Sequence, residues 1–363
     1  MIAQRKDDHV RLAVEQQHGH LGRNQFDEVS FVHHALAGID RPDVSSATTF
    51  AGITWQVPLY INAMTGGSLK TGEINRDLAI AAHETGVPIA SGSMSAYFKD
   101  PSCADTFRVL RQKNPDGFVL ANVNATASVD KAQRAVDLLQ ANALQIHVNT
   151  AQETVMPEGD RSFSSWVPQI ERIVAAVDVP VIVKEVGFGL SRETVLLLRE
   201  LGVRVADLGG RGGTDFARIE NGRRELADYA YLEGWGQSTA ACLLDTQGVG
   251  IPVLASGGVR NPLDVARALA LGASGVGVSG GFLRTLMDDG VSALIAQIST
   301  WLDQLTALMT MLGARTPAEL TRCDVLLHGS LRDFCTDRGI ETGRFARRSA
   351  SLDALTEMTG ITR

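Results

Sequence analysis

From residue 58 onward the chain alternates short apolar, β-branched runs with segments whose apolar residues recur at helical spacing, and it does so eight times. The runs fall at 58–63, 87–91, 117–122, 143–148, 180–185, 203–208, 252–256 and 275–279. Such alternation predicts parallel strands buried on both faces and joined by covering helices. The segment 162–177 is typical of the helices, with Trp166, Ile170, Ile173, Val174 and Val177 marking one face. Two architectures meet the pattern: a closed (β/α)8 barrel, and an open doubly wound sheet, which requires a reversal of strand order that a sequence does not display. The unit count favours the barrel. Small or polar residues follow nearly every run, as at 62–67, 91–95, 122–124 and 209–213, and mark those ends as a ligand face.

The barrel with its C-terminal helices takes residues 58–363, and residues 1–57 form an N-terminal extension. The extension is polar, holds five of the eight histidines and shows little periodicity before residue 50. The stretch 211–236, rich in Gly, Arg and acidic residues, reads as a long loop on the ligand face. Residues 288–363 carry helical patterns, the eighth barrel helix first. At 363 residues, 44% hydrophobic and 21% charged, the chain can bury a large core. A net charge of −7 supplies no basic field for nucleic acid, so any anionic ligand must be held by a local cluster. Cys103, Cys242, Cys323 and Cys335 lack metal or disulfide spacing, residues 1–10 are charged, and no apolar run is long enough to span a membrane. A reduced, cytoplasmic protein without a membrane partner is expected.

The fourth run leads into His147-Val148-Asn149-Thr150-Ala151-Gln152-Glu153, which gathers an imidazole, two amides and a carboxylate at one strand end. Any one of them alone reads as a polar loop; together they suggest a site, and Glu153 is of the type that holds Mg²⁺ with water and phosphate. Lys184 ends the buried fifth run, where an ammonium requires an anionic partner, either a carboxylate elsewhere in the fold or a bound anion such as a reduced flavin. Glycine-rich turns at 209–213, 256–260 and 279–281 suit phosphate, which free backbone N–H groups bind, and also suit tight turns in general. The G-x-G-x-x-G at 275–280 lies within a strand and lacks the acidic residue of a dinucleotide site, so it is read as coincidental. Arg5-Lys6-Asp7-Asp8-His9 reads, on its own, as a solvated tail. His18-Gly19-His20 and His33-His34 have no third ligand at useful spacing.

In collinear order, Arg5-Lys6-Asp7-Asp8-His9, Ala63-Met64-Thr65-Gly66-Gly67, His147-x-Asn149-x-x-Gln152-Glu153, Lys184-Glu185 and Gly212-Gly213-Thr214 resemble the type 2 isopentenyl-diphosphate isomerases. The resemblance spans nearly the whole chain. It implies an FMN-dependent barrel that interconverts isopentenyl and dimethylallyl diphosphate, needs Mg²⁺, works with reduced flavin and takes its electrons from NADPH. It also implies a homo-oligomer, a tetramer or octamer. By the same resemblance, Ala63, Met64, Thr65, Ser93, Asn122, Lys184 and Thr214 look like FMN contacts, and Gly258, Val259, Arg260, Ser279 and Gly280 like the cradle for its phosphate. Arg5, Lys6, His147, Asn149 and Gln152 look like substrate contacts, with Gln152 and Lys184 catalytic and Glu153 the Mg²⁺ ligand. The extension then joins the substrate site, often that of a neighbouring subunit. Two departures stand out: Gly92-Ser93-Met94-Ser95 replaces the Gly-Ser-Gln-Arg of many members, and Gly209 stands where a hydroxyl is common. An FMN-dependent 2-hydroxy-acid oxidase shares the architecture but needs a histidine base beside an arginine, and none lies beside Arg211 or Arg260. A non-catalytic phosphate-binding barrel is the other alternative.

Overall fold

The computed structural model describes residues 2–19 and 24–349, so His20 and the helical pattern expected over 350–363 lie outside the described residues. The eight runs form β1 (Leu59–Ile61), β2 (Ile89–Ala90), β3 (Val119–Asn124), β4 (Ala143–His147), β5 (Val181–Lys184), β6 (Val205–Asp207), β7 (Val253–Ser256) and β8 (Gly275–Val278). Each strand is parallel to the next and β8 pairs with β1, so the sheet closes and the open-sheet alternative falls. β3 continues two residues past its expected end, because Asn122 and Asn124 still pair with Gln145 and His147 of β4. Their polar side chains, which read as loop in the sequence, belong to the ligand end of the barrel.

The core has two compartments. Helices such as Leu69–Thr85, Trp166–Ala176 and Pro262–Ala270 pack their apolar faces on the outside of the sheet. Inside the ring lie Trp55, Tyr60, Leu120, Ile182, Val205 and Leu254, joined by Phe50 and Ile53 of a hairpin, Thr48–Phe50 with Ile53–Trp55. That hairpin plugs the end of the barrel opposite the ligand face. Its packing also explains the coincidental glycine motif: a Cβ on Gly275 would sit 2.7 Å from the Trp55 ring, and one on Gly277 would sit 2.5 Å from Cζ of Tyr60. The glycines of β8 make room for two aromatic rings inside the lumen. Gly277→Ala is therefore expected to overpack the interior and lower stability by about 1–3 kcal/mol, read as a lower denaturant midpoint. An unchanged midpoint would show that Tyr60 does not press on β8.

Three expectations about the periphery need correction. The extension is largely structured: a helix runs Ile2–His18, and Val29–Phe31 pairs antiparallel with Val325–Leu327, a strand absent from the helical pattern expected beyond 288. The stretch 211–236 holds a helix, Phe216–Gly222, capped by Asp215, whose carboxylate accepts from the N–H groups of Ala217 and Arg218. The eighth barrel helix begins at Gly280 and continues to Leu312 across a break at Gly290, where φ is +83°. Among the described residues no helix is long and apolar enough to cross a membrane.

Candidate active site at the barrel mouth

The C-terminal ends of the strands open into a cavity of about 470 Å³, roofed by Arg5, Lys6, His9, Val10, Ala13 and Gln17 of the Ile2–His18 helix. The roof is tethered around its rim. Asp7 accepts from Ser68 at 2.7 Å, Arg5 reaches Glu158 at 3.4 Å, Gln16 exchanges two hydrogen bonds with the backbone of Asp215, and Arg284 donates to the Gln17 carbonyl. All the residues that the resemblance assigns to cofactor, substrate or metal border this one cavity. Among the described residues the helix covers the mouth of its own barrel.

Beneath the cavity a chain of buried polar groups crosses the barrel. His147 Nδ1 lies 2.7 Å from Asn122 Oδ1; Asn122 Nδ2 donates to Gln145, and Gln145 donates to Asn62. Asn62 then donates to Asp207 Oδ2 at 2.9 Å, where Tyr60 also donates, and Ser256 donates to Asp207 Oδ1 at 2.6 Å. Because Asn122 spends its amine on Gln145, it offers its carbonyl to the ring and fixes the His147 proton on Nδ1. Burial, with Lys184 and Lys6 nearby, pushes His147 down to about 3, so a ligand meets a neutral imidazole. Lys184, 6% exposed, donates to the carbonyl of Glu185 at 2.8 Å, and burial holds its amine below the ordinary lysine value. The neighbouring Glu185 carboxylate turns away to accept from the N–H groups of Val186 and Gly187.

On the other side of the mouth, Asn149 immediately precedes the helix Thr150–Val155, and the first turn of that helix projects Gln152 and Glu153. Gln152 is locked from both ends. Its Nε2 donates to Glu220 Oε1 at 2.8 Å and its Oε1 accepts from Asn149 at 3.1 Å. Glu220, fully buried, is also contacted by His9 at 3.0 Å and by Arg223. Burial alone would raise its carboxyl, yet His9 and Gln152 hold it below the usual range. Glu153 accepts from Asn149 at 3.0 Å and from the Asp160 backbone at 2.8 Å. Lys6 faces the cavity but is crowded by protein; burial and Arg5 bring its amine down to about 8.

The third side is made of backbone. Gly257 and Gly258 have φ of +95° and +78°, and a Cβ on Gly257 would lie 1.9 Å from the Gly210 carbonyl, so the two loops meet with no room for side chains. The helix starting at Gly280 directs its unpaired first N–H groups toward the same corner, beside Thr214 and Gln17. Arg260 contributes little free charge there, because its guanidinium is engaged by Asp27 and Asp264. Thr65, 3% exposed, lines the cavity with an Oγ1 that has no partner. An anion cradle of backbone, an orphaned buried hydroxyl and a buried ammonium together fit FMN. At the departure from the family pattern, Met94 is buried in the core and Ser93 and Ser95 face each other at 2.9 Å.

Several residues of this site carried no assignment in the sequence. Asp207 is an acid at the end of a buried strand, and that placement was its available signal. Glu220 sits on the short helix read as loop. His18 and His34 pair with Asp288 and Asp324, and no group of three His, Cys, Asp or Glu among the described residues is arranged to hold a metal. The cavity histidines are His9 and His147, and neither is paired with Arg211, which donates to the Gly234 carbonyl, or with Arg260. The 2-hydroxy-acid oxidase arrangement is therefore not formed.

Residues 105–326 match the model of the FMN-dependent dehydrogenase family. Isopentenyl-diphosphate delta-isomerase of Streptomyces sp. strain CL190 is 79% identical over 361 residues, 99% of each chain. The enzyme of that name from Kitasatospora griseola is 80% identical over the same span, and that from Nocardia farcinica is 62% identical over 96% of this chain and 97% of its own. Among solved structures, a flavocytochrome b2 with benzoylformate superposes with a TM-score of 0.60 at 22% identity, covering 85% of this chain and 77% of that one. A mandelate oxidase with an FMN adduct gives 0.59 at 18%, covering 88% and 92%. These last two share the fold; the full-length identities carry the assignment further, and the chain belongs to the FMN-dependent, type 2 isopentenyl-diphosphate delta-isomerases.

Proposed function

We propose that the enzyme interconverts isopentenyl and dimethylallyl diphosphate by a 1,3 proton shift, with reduced FMN on the barrel floor and Mg²⁺ on Glu153. The observation that carries this reading is that Lys184, Gln152 and the cations Arg5 and Lys6 border one cavity. Reduced FMN, when bound, supplies the group that gives and takes the proton beside the alkene. Mg²⁺ supplies charge for the diphosphate, completing its shell with phosphate and water oxygens. Lys184 offsets negative charge on the flavin side of the cavity, and Gln152, locked by Glu220 and Asn149, holds the alkene in register. Arg5 and Lys6 grip the remote anion, with His147 as a neutral hydrogen-bonding group. NADPH serves as the reductant, and the enzyme is a cytoplasmic homo-oligomer, a tetramer or octamer; exposed Leu226, Tyr231 and Trp235 offer apolar surface for a second copy to cover. The test is anaerobic incubation of isopentenyl diphosphate with enzyme, FMN, Mg²⁺ and NADPH. Appearance of the allylic isomer supports the reading; its absence with fully reduced flavin overturns it.

Two further outcomes follow from individual side chains. Glu153→Gln is expected to raise the Mg²⁺ concentration needed for half-maximal rate by about tenfold or more, a typical loss when a metal's protein anchor is weakened. An unshifted Mg²⁺ titration would remove Glu153 from the metal. Lys6 loses its charge as pH rises through about 8, so KM for the diphosphate should climb between pH 7 and 9. Lys6→Arg should flatten that limb of the KM profile, since a guanidinium stays protonated.

A further inference from the structure

Lys184 and Asp207 are register partners on adjacent strands β5 and β6, so their side chains leave the sheet on the same, inner face. Lys184 borders the cavity, whereas Asp207 lies one layer below it with no exposed surface. We propose that Asp207 is a positioning residue that keeps the Lys184 ammonium charged and directed at the flavin. The inference rests on the reading of Lys184 as the flavin's electrostatic partner and adds what sustains it.

Among the neighbours of Lys184, Asp207 is the larger source of negative charge and Glu185 the smaller. From β4 comes His147, the register partner on the other side, which is neutral. From β5 comes Glu185, which gives the lysine its carbonyl while its carboxylate is taken up by the N–H groups of the turn that follows. From β6 comes Asp207. Its carboxylate accepts from Tyr60 of β1, from Asn62 just beyond that strand and from Ser256 of β7. Tyr60 keeps its proton, its hydroxyl pushed well above the usual range by burial and by Asp207 itself. A buried amine with no anion beside it sheds its proton rather than bear the desolvation cost. Burial already holds Lys184 below its ordinary value, with Asp207 as the largest opposing influence. The aspartate therefore does through space what it does not do by contact with the ligand: it sets which protonation state the cavity sees.

The test uses the full chain loaded with FMN and no substrate, so that its outcome does not depend on which reaction the enzyme catalyses. The midpoint potential of the bound flavin is followed between about pH 6 and about pH 9, a range that brackets strongly depressed lysines, in wild type, Asp207→Asn and Asp207→Asn with Lys184→Arg. Glu185, raised by burial to about 7, and Lys6, lowered to about 8, titrate in that range in every variant, so the expected result is one inflection in Asp207→Asn beyond those of wild type, above which the potential falls as the positive charge is lost. The double variant should lack it, because arginine does not titrate there. Turnover of Asp207→Asn should recover as pH is lowered through the same inflection, which a merely structural defect does not do. A potential curve parallel to wild type, or an added inflection that survives Lys184→Arg, overturns the proposal. Asp207→Ser, also uncharged and with room for a water, is the second variant should the asparagine protein fail to fold. Failure of the wild type to isomerise isopentenyl diphosphate would sink the functional reading while leaving the potential measurement intact, so the two failures are distinguishable.

Discussion

Lys184→Ala is expected to lower kcat by about a hundredfold to a thousandfold, the usual loss when one preorganised electrostatic partner is removed from a dry site. The cause is local. The ammonium is 6% exposed and lies in the cavity floor, where the weak screening makes a charge count for far more than at the surface. FMN should still bind, because the turns at Gly257, Gly258 and Gly280 that form the anion cradle lie on the far strands β7 and β8 and do not involve the lysine. The two readouts thus separate: flavin content by absorbance stays near one per chain while turnover with reduced flavin collapses. Lys184→Arg should recover little, since the planar guanidinium does not fit a slot that holds a slender amine against the Glu185 carbonyl. A kcat for Lys184→Ala within about twofold of wild type, in a protein that retains its flavin, would remove the lysine from the mechanism.

Glu220→Ala should produce the second large effect, on stability and activity together. This carboxylate is fully buried and serves three partners from three parts of the chain: Gln152, His9 and Arg223. Truncation strands the buried Gln152 amide and the partly buried Arg223 guanidinium at once, and breaking a buried pair in this way costs about 3–5 kcal/mol. The denaturant midpoint reports the loss. Activity falls because the Gln152 amide, no longer held at Nε2, is free to rotate away from its Asn149 contact. Glu220→Gln makes the distinction between fold and chemistry: it keeps the shape and one acceptor oxygen for Gln152 while losing the charge that Arg223 answers. If Glu220→Gln restores stability and leaves turnover unchanged, the carboxylate's charge has no part in positioning Gln152.

The barrel was legible because every strand is buried on both faces, so an unbroken apolar run marks it regardless of what surrounds it. Lys184 and the 147–153 cluster were legible for the complementary reason, as polar groups at the end of such runs. Other parts were hidden by specific physical causes. Glu220 sits on a helix of seven residues, whose buried apolar side chains, Ala217 and Ile219, are too few to set a periodicity. The Ile2–His18 helix turns charged residues toward a polar cavity and buries little besides Val10 and Ala13, so it resembles a solvated tail until the cavity beneath it is known. Its expected place at the substrate site came only through the family resemblance. The glycines at 275 and 277 mimic a nucleotide motif because the need they answer, space for Trp55 and Tyr60, arises from residues more than 200 positions away.

The polar tethers that fasten the Ile2–His18 helix around the barrel rim have a kinetic consequence. Whatever sits on the floor cannot leave past a stopper that is latched at Ser68, Glu158, Asp215, Glu220 and Arg284 unless several latches release together. Residence of a guest on the floor would then be governed by how often the stopper swings out, and under the proposed role of Arg5 and Lys6 a shallower anion would help to hold it down. Under that proposal loading would be ordered in time, the deep guest first and the shallow guest last.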